Sequence, residues 1–503
     1  MPYTEVSQAL NTLRALEQTS CAYDHAMEVL YVDSVTAAPK DTAEGRGKTM
    51  AILSEVNYSH LTNPENEKLY DFLEQHSSEL DEVSRREVQL GRRIFERNSR
   101  IPADEYVKYQ VLINDAQPAW ERAKNTNDFE LFRPYLEQIV ETNRRFAAYY
   151  DPTKSPYDAL LNEYERGTDA GQLDEFFSEL RRSIIPLISK ISGCRPIDAS
   201  FLYRPCPIEQ QRILSDYIMD VMGIDRSHCS IAETEHPFTT NFSNKDVRIT
   251  THYYENSFTS SLYSVLHEGG RALYELGAED RYNYTFVAGG ISMGIHESQS
   301  RFYENIIGRS QEFIFAIYPK LKELFPQQLD DVTPEMLFRA VNRVTPSLIR
   351  LDADELTYCM HIMVRYELEK QLIDGSLAVK DLPSAWNKLY KEYLGLDVPS
   401  DSMGCLQDSH WSGGGIGYFP SYALGGAYGA QMLSVMEKDI PDLWQRVAAL
   451  DLSAVTEWLR AHIHRHAKLY EPRELFENSC GRFQPKYYIE YLTKKYTKLY
   501  SPD

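Results

Sequence analysis

The apolar residues of this chain recur at helical spacing almost from end to end, and that period leaves little room for a sheet. Val6, Leu10, Leu13 and Leu16 share one face of a first helix, and Tyr23, Met27, Leu30 and Tyr31 continue the stripe in the same helix or a second one. Similar stripes return at Leu69, Phe72 and Leu73, at Val88, Leu90 and Ile94, and at Phe132, Leu136 and Ile139. Pro102 with Asp104 (opening a helix toward Trp120) and Pro334 with Glu335 read as helix starts, since proline in the first turn forfeits no hydrogen bond. Only the stretch between Phe238 and Tyr254 alternates as strands do. At 503 residues the length alone would suggest several domains. No Ser/Gly/Pro-rich linker or internal repeat divides it, so the expectation is one all-α domain over 1–503. Its parts are a helical stretch about 1–230, a motif-bearing stretch about 231–425 and a helical stretch about 426–503, with a minor β-element near 238–254.

A net charge of -21 argues against nucleic acid or an anionic membrane surface as partner. It constrains a small substrate little, because one buried arginine outweighs a distant acidic surface. No apolar run approaches membrane-spanning length, and Met1-Pro2-Tyr3-Thr4-Glu5 lacks the basic and apolar segments of a secretion signal. Cys21, Cys194, Cys206, Cys229, Cys359, Cys405 and Cys480 are scattered and never form a C-x-x-C pair, which is reduced-compartment usage. A cytoplasmic protein is expected.

The chemistry concentrates at Leu266-His267-Glu268-Gly269-Gly270-Arg271-Ala272. H-E-x-x-H sets two imidazoles one turn apart on a helix, with a glutamate beside them to take a proton from metal-bound water. Here the second histidine position holds Arg271, which has no lone pair for a metal. Thr259 or Ser260 would cap this helix, and Leu262, Val265, Leu266, Leu273 and Leu276 would give it a buried side. Gly269 and Gly270 weaken it by about 1 kcal/mol each, which makes sense if another group approaches the backbone closely. Alone, the motif could be an ordinary His-Glu pair.

Five further blocks surround it: His236-Pro237-Phe238, Asp246-Val247-Arg248-Ile249-Thr250, Gly289 to Arg301 (which holds His296-Glu297-Ser298-Gln299), Ile349-Arg350-Leu351-Asp352-Ala353-Asp354, and Gly404 to Trp411 with Tyr418 to Tyr422 close behind. In this order they resemble the M32 family of metal-dependent carboxypeptidases, the Taq-type thermostable carboxypeptidases. The resemblance implies a large helical fold with a deep substrate cleft, shared with neurolysin-type peptidases, and a homodimer that releases C-terminal residues from peptides. It implies one divalent metal ion, zinc or cobalt, held by His267, the residue at 271 and Glu297, with a fourth position for water. Glu268 would be the general base. Outside this context Glu297 would be a surface carboxylate pairing with Arg301 at i+4.

An enzyme that trims C-termini must hold a carboxylate, which the arginine fork does best. Arg350 leads, with Arg248 second; the alternative makes them ion-pair partners of Asp352 and Asp354, and of Asp246. His410, Tyr418 or Tyr422 could donate to the oxyanion, or His410 could be held by Asp408 in the cleft wall. Gly413-Gly414-Gly415 suits a mobile or closely approached loop and lacks the strand–helix context of a phosphate site.

Arg271 places a fixed positive charge about one turn from His267. It should repel a divalent cation and attract Glu268 and Glu297. His296, His252 or His410 could substitute as donors, although no spacing requires it. Two readings stand: a metallocarboxypeptidase impaired or rescued at 271, or a non-catalytic relative that binds peptides or serves as a scaffold.

Overall fold

The computed structural model describes residue 3 and residues 5–501; of the stretch searched for a secretion signal, Met1, Pro2 and Thr4 lie outside the described residues. Within them are twenty α-helices and one three-stranded sheet. Both N-terminal stripes fall in a single helix, α1 (Val6–Thr36). The helix after Pro102 runs Ala103–Thr126, and the one opened by Pro334 is capped by Thr333, whose side chain accepts from the Met336 amide.

The strands are β1 (Cys229–Glu233), β2 (Thr239–Ser243) and β3 (Asp246–Thr251), in the order β1-β3-β2. β2 and β3 fill the expected 238–254 element. β1, parallel to β3, lies upstream of it, in a segment whose one fully buried residue is Cys229. The two-residue period of β2 sorts its side chains between two helices. Thr239 and Asn241 reach α2 (Phe258–Leu276), donating to Glu268 Oε2 at 2.6 Å and Glu275 Oε2 at 2.9 Å. Thr240 and Phe242 face α1, with Thr240 Oγ1 donating to Glu28 Oε1 at 2.8 Å and Phe242 packed on His25.

α2 carries the H-E-G-G-R stretch. Its cap is Ser257, which accepts from the Ser260 amide, rather than Thr259 or Ser260. Leu262, Val265, Leu266 and Leu273 are buried and Leu276 packs at the core's edge. Against α2 lies α3 (Met293–Arg301), capped by Ser292 and continued without a break by a π-helical turn, Phe302–Ile307. The two helices meet at Gly270, where a Cβ would stand 2.5 Å from the Gln299 carbonyl oxygen. Gly269 faces side-chain ends alone, the flexible tip of Met222 and Cδ1 of Ile224. Gly270→Ala should therefore destabilise the protein by about 1–3 kcal/mol, the usual cost of overpacking, while Gly269→Ala should be near neutral. Urea unfolding of both variants checks this, and equal effects would refute the close-approach explanation.

Two more helices frame the site: α4 (Glu355–Asp374) and α5 (Pro420–Asp439). Gly425 of α5 leaves room for the side chain of Glu297, whose Cγ would lie 2.5 Å from an added Cβ. The main apolar core runs from Ala116 to Leu499, and a smaller one joins α1 to the Pro64–Gln75 and Glu82–Arg100 helices.

Two histidines in the core make stability depend on acid. His361 of α4 sits 3.0 Å from the Tyr390 hydroxyl, and His464 donates from Nε2 to Gln299 Oε1 at 2.8 Å. Burial pushes both imidazoles down to about 3, with Arg350 adding to the effect on His361 and His296 to that on His464. An unfolded histidine titrates near 6.5, so between about 6.5 and 3 the unfolded chain binds more protons. Stability should fall with pH across that window, by at most about 1.4 kcal/mol per pH unit for each residue. Urea midpoints at pH 7, 6, 5 and 4 measure the slope; a flat profile would count against neutral burial.

Candidate active site

His267 and Arg271 leave α2 one turn apart and meet Glu297, Ser300 and Arg301 of α3 and Glu304 of the π turn. Arg271 donates from Nη2 to Glu297 Oε2 at 2.7 Å and from Nε to Ser300 Oγ at 3.0 Å. Arg301 donates to the other Glu297 oxygen at 2.7 Å and to Glu304 Oε2 at 3.3 Å. Glu304 Oε2 in turn accepts from His267 Nδ1 at 2.8 Å. Hydrogen bonds run along one chain, from Arg271 through Glu297, Arg301 and Glu304 to the His267 imidazole. Burial alone would raise the pKa of Glu297, which is 1% exposed; Arg301, His267 and Arg271 hold it down at about 2. Glu304 is held below the usual carboxylate range in the same way, against its burial, by Arg301 and His267.

The attraction expected of Arg271 is half realised. It takes Glu297, while Glu268 turns to the Thr239 hydroxyl. The i+4 pair of Glu297 with Arg301 and the Arg271 pair coexist, so both oxygens of Glu297 are engaged.

These residues do not fit a three-donor metal centre. Of His267 only Nε2 is uncommitted, 3.7 Å from Glu297 Oε2, and that oxygen bears the guanidinium. Of the candidate substitutes, His296 turns Nε2 to Glu275 at 2.8 Å, His252 Nδ1 lies 2.8 Å from the Thr234 carbonyl, and His410 stacks on Tyr418. Among the described residues, no three or more His, Cys, Asp or Glu side chains are arranged to hold a metal.

Arg350, 7% exposed, is gripped at two points by Asp408, Nε to Oδ2 at 3.0 Å and Nη2 to Oδ1 at 2.8 Å. Its ion-pair partner is thus neither Asp352 nor Asp354; Asp354 caps α4 instead. Burial opposes the charge on Asp408, but Arg350 holds it at about 2. Arg248 is likewise paired with Asp246 at 3.0 and 2.9 Å, as its alternative had it. It lies across from Thr240, on the α1 side of the sheet and away from Glu268.

His410 Nδ1 lies 4.0 Å from Asp408 and makes no hydrogen bond. Its ring stacks on Tyr418 with centroids 5.8 Å apart. Burial, then Arg365, push it down to about 4, so the imidazole is neutral at pH 7. Tyr418 packs edge-on against Tyr422 at 5.0 Å. Burial raises the pKa of its hydroxyl. The glycine loop is closely approached: Gly414 has φ +76° and faces the Tyr109 hydroxyl.

Sequence reasoning missed the groups that stand behind these. Under the loop, Arg365 donates to Glu369 at 3.0 Å, both fully buried. Glu369 also accepts from Trp411 Nε1 at 2.9 Å and from the Gly417 amide at 2.8 Å. Glu304 was missed as well, although Glu297, Arg301 and Glu304 stand at i, i+4 and i+7. A cleft cavity of about 560 Å³ opens beside the centre, lined by Tyr263, His267, Glu268, Arg301, Glu304 and Arg309 among others.

Comparison with known proteins agrees with this arrangement of helices and motifs. The pattern of the Carboxypeptidase Taq (M32) metallopeptidase family matches residues 12–496. Carboxypeptidase 1 of Bacillus subtilis (strain 168) is 40% identical over 481 residues, covering 95% of this chain and 96% of that protein. Thermostable carboxypeptidase 1 of Pyrococcus furiosus is 36% identical over 488 residues, covering 94% and 96%. The crystal structure of the M32 carboxypeptidase from Deinococcus radiodurans R1 superposes with a TM-score of 0.95 at 37% identity, over 98% of this chain and 99% of that one.

Proposed function

Because the chain belongs to the Carboxypeptidase Taq (M32) metallopeptidase family, and is by that membership a metallocarboxypeptidase acting on peptides, we propose that Arg271 holds its catalytic centre in an impaired state. The observation that carries this reading is the 2.7 Å bond from Arg271 to Glu297. It puts a guanidinium where the family chemistry needs a second imidazole, and it engages the carboxylate that would be the third ligand. Membership implies a divalent metal ion; zinc or cobalt is the proposed identity, bound weakly in this chain.

The substrates are peptides with a free C-terminus, trimmed at that end. Glu268 is the proposed proton acceptor, kept in one orientation by Thr239. His410, neutral at pH 7, and Tyr418 and Tyr422 are the proposed donors to the oxyanion. Arg350 and Arg248 remain proposed substrate contacts, each of which would first have to release its carboxylate partner. One domain over 1–503 and a cytoplasmic homodimer complete the proposal. Its support is the set of seven unpaired cysteines and, for the dimer, the family resemblance. No helix among the described residues is long and apolar enough to cross a membrane.

The same bond favours one second reading, a relative that binds peptides without cutting them. C-terminal release from a short free-acid peptide, measured with metal content on the unaltered chain and on Arg271→His, separates the two. Release regained in the variant supports the impaired peptidase, and metal without release supports the binder.

A further inference from the structure

The cleft beside His267 contains a cation whose donors are not all engaged. Arg309, just past the π turn, lies over the ring of Tyr263 with its guanidinium carbon 3.7 Å from the centroid. Nη1 donates to the Val341 carbonyl at 2.6 Å, and Nη2 reaches Glu304 Oε1 only at 3.5 Å. Its Nε and the Tyr263 hydroxyl are both buried and both without a hydrogen-bond partner. A buried polar group left unpaired costs about 1–3 kcal/mol, and here two such donors belong to stacked residues that both line one 560 Å³ cavity. An acceptor entering that cavity, with a small adjustment of the two side chains, would complete them. Arg350 and Arg248 offer no such opening, since both forks are filled by Asp408 and Asp246.

We propose that Arg309, stacked on Tyr263, is the seat of the peptide's C-terminal carboxylate. The inference rests on the peptidase reading above and names the anchor that reading needs. The spacing suits removal of one residue at a time. Tyr263 precedes His267 by one helical turn, about 5–6 Å, and one residue of extended peptide spans about 3.3 Å. A scissile carbonyl near Glu268 would thus leave a single residue between itself and Arg309. Acidic groups in the cavity do not cancel the seat: Glu304 is already offset by Arg301 and His267, Asp354 accepts from the Thr357 and Thr345 amides, and Glu268 is held by Thr239. Asp352 is left at the rim, where Arg343 adds a further positive charge.

The test is calorimetric binding of an N-acylated tripeptide ending in phenylalanine, as the free acid and as its C-terminal amide. The unaltered chain should prefer the acid by about 10- to 100-fold, the worth of a charge-assisted pair. Arg309→Met, which keeps the apolar stem over Tyr263, should abolish that preference while leaving amide binding unchanged. Tyr263→Phe should weaken acid binding by about 3- to 10-fold. If Arg309→Met is poorly folded, Arg309→Lys supplies the same test, retaining charge but losing the fork and part of the preference. An undiminished acid preference in these variants, or its disappearance in Arg350→Met alone, overturns the Arg309 seat and leaves the peptidase reading intact. Failure of the unaltered chain to bind either peptide overturns both.

Discussion

Replacing Arg271 by histidine is expected to raise the affinity of the chain for zinc or cobalt by more than about 100-fold and to bring C-terminal release with it. Loss of a single outer partner of a metal ligand already weakens binding by about 10- to 100-fold. The substitution does more than restore an outer partner, since it supplies a direct donor, removes a fixed positive charge and frees Glu297 Oε2. Arg271→Met separates these contributions, because it removes the charge without adding a donor and should leave the protein nearly metal-free. Metal per chain after dialysis and product release by chromatography give the two readouts. One metal per unaltered chain, with release no faster in the variant, would sink the idea that Arg271 impairs the centre.

Glu369→Leu should destabilise the protein by about 3–5 kcal/mol, the cost of stripping one member from a buried ion pair. Arg365 would then stand fully buried without its ion-pair partner, and burial already pulls its pKa below the ordinary range even with Glu369 present. Trp411 Nε1 and the Gly417 amide would lose their acceptor in the same step. Because those two groups bracket the glycine loop, its backbone should become open to limited proteolysis before the rest of the chain unfolds. Glu369→Gln keeps the shape and one acceptor oxygen and should cost less. Urea unfolding followed by far-ultraviolet dichroism measures the change. A Glu369→Leu unfolding free energy within about 0.5 kcal/mol of the parent, the range of ordinary surface substitutions, would contradict the assigned role.

The features legible without coordinates were those that depend on local period and on motif. The 3.6-residue stripes predict the helices, and the alternation between Phe238 and Tyr254 predicts β2 and β3. β1 escaped because Cys229–Glu233 has little alternation of its own and becomes a strand by pairing with β3. The cap of α2 falls within Ser257-Phe258-Thr259-Ser260, where three hydroxyls offer themselves and Ser257, just before the buried Phe258, takes the role in place of Thr259 or Ser260. At the site, the spacing of His267, Glu268 and Arg271 was plain. The partner of Arg350 lies 58 residues away at Asp408, and nothing local distinguishes it from the nearer Asp352 and Asp354. Glu304 shares a face with Glu297, but its reach to His267 depends on how α3 crosses α2, a crossing set by the missing side chain at Gly270.

The π turn at Phe302–Ile307 carries a consequence for how such a chain can change length. A π turn holds one residue more than an α turn and behaves as an insertion absorbed without breaking the helix. Deleting one residue there would close the turn to α-helical geometry and leave the residues on either side near their present register, with Arg309 still over Tyr263 and Glu297 and Arg301 still paired. The ion-pair centre and the cationic seat are therefore joined by a stretch that tolerates a change of one residue in length, and a single-codon deletion would keep both.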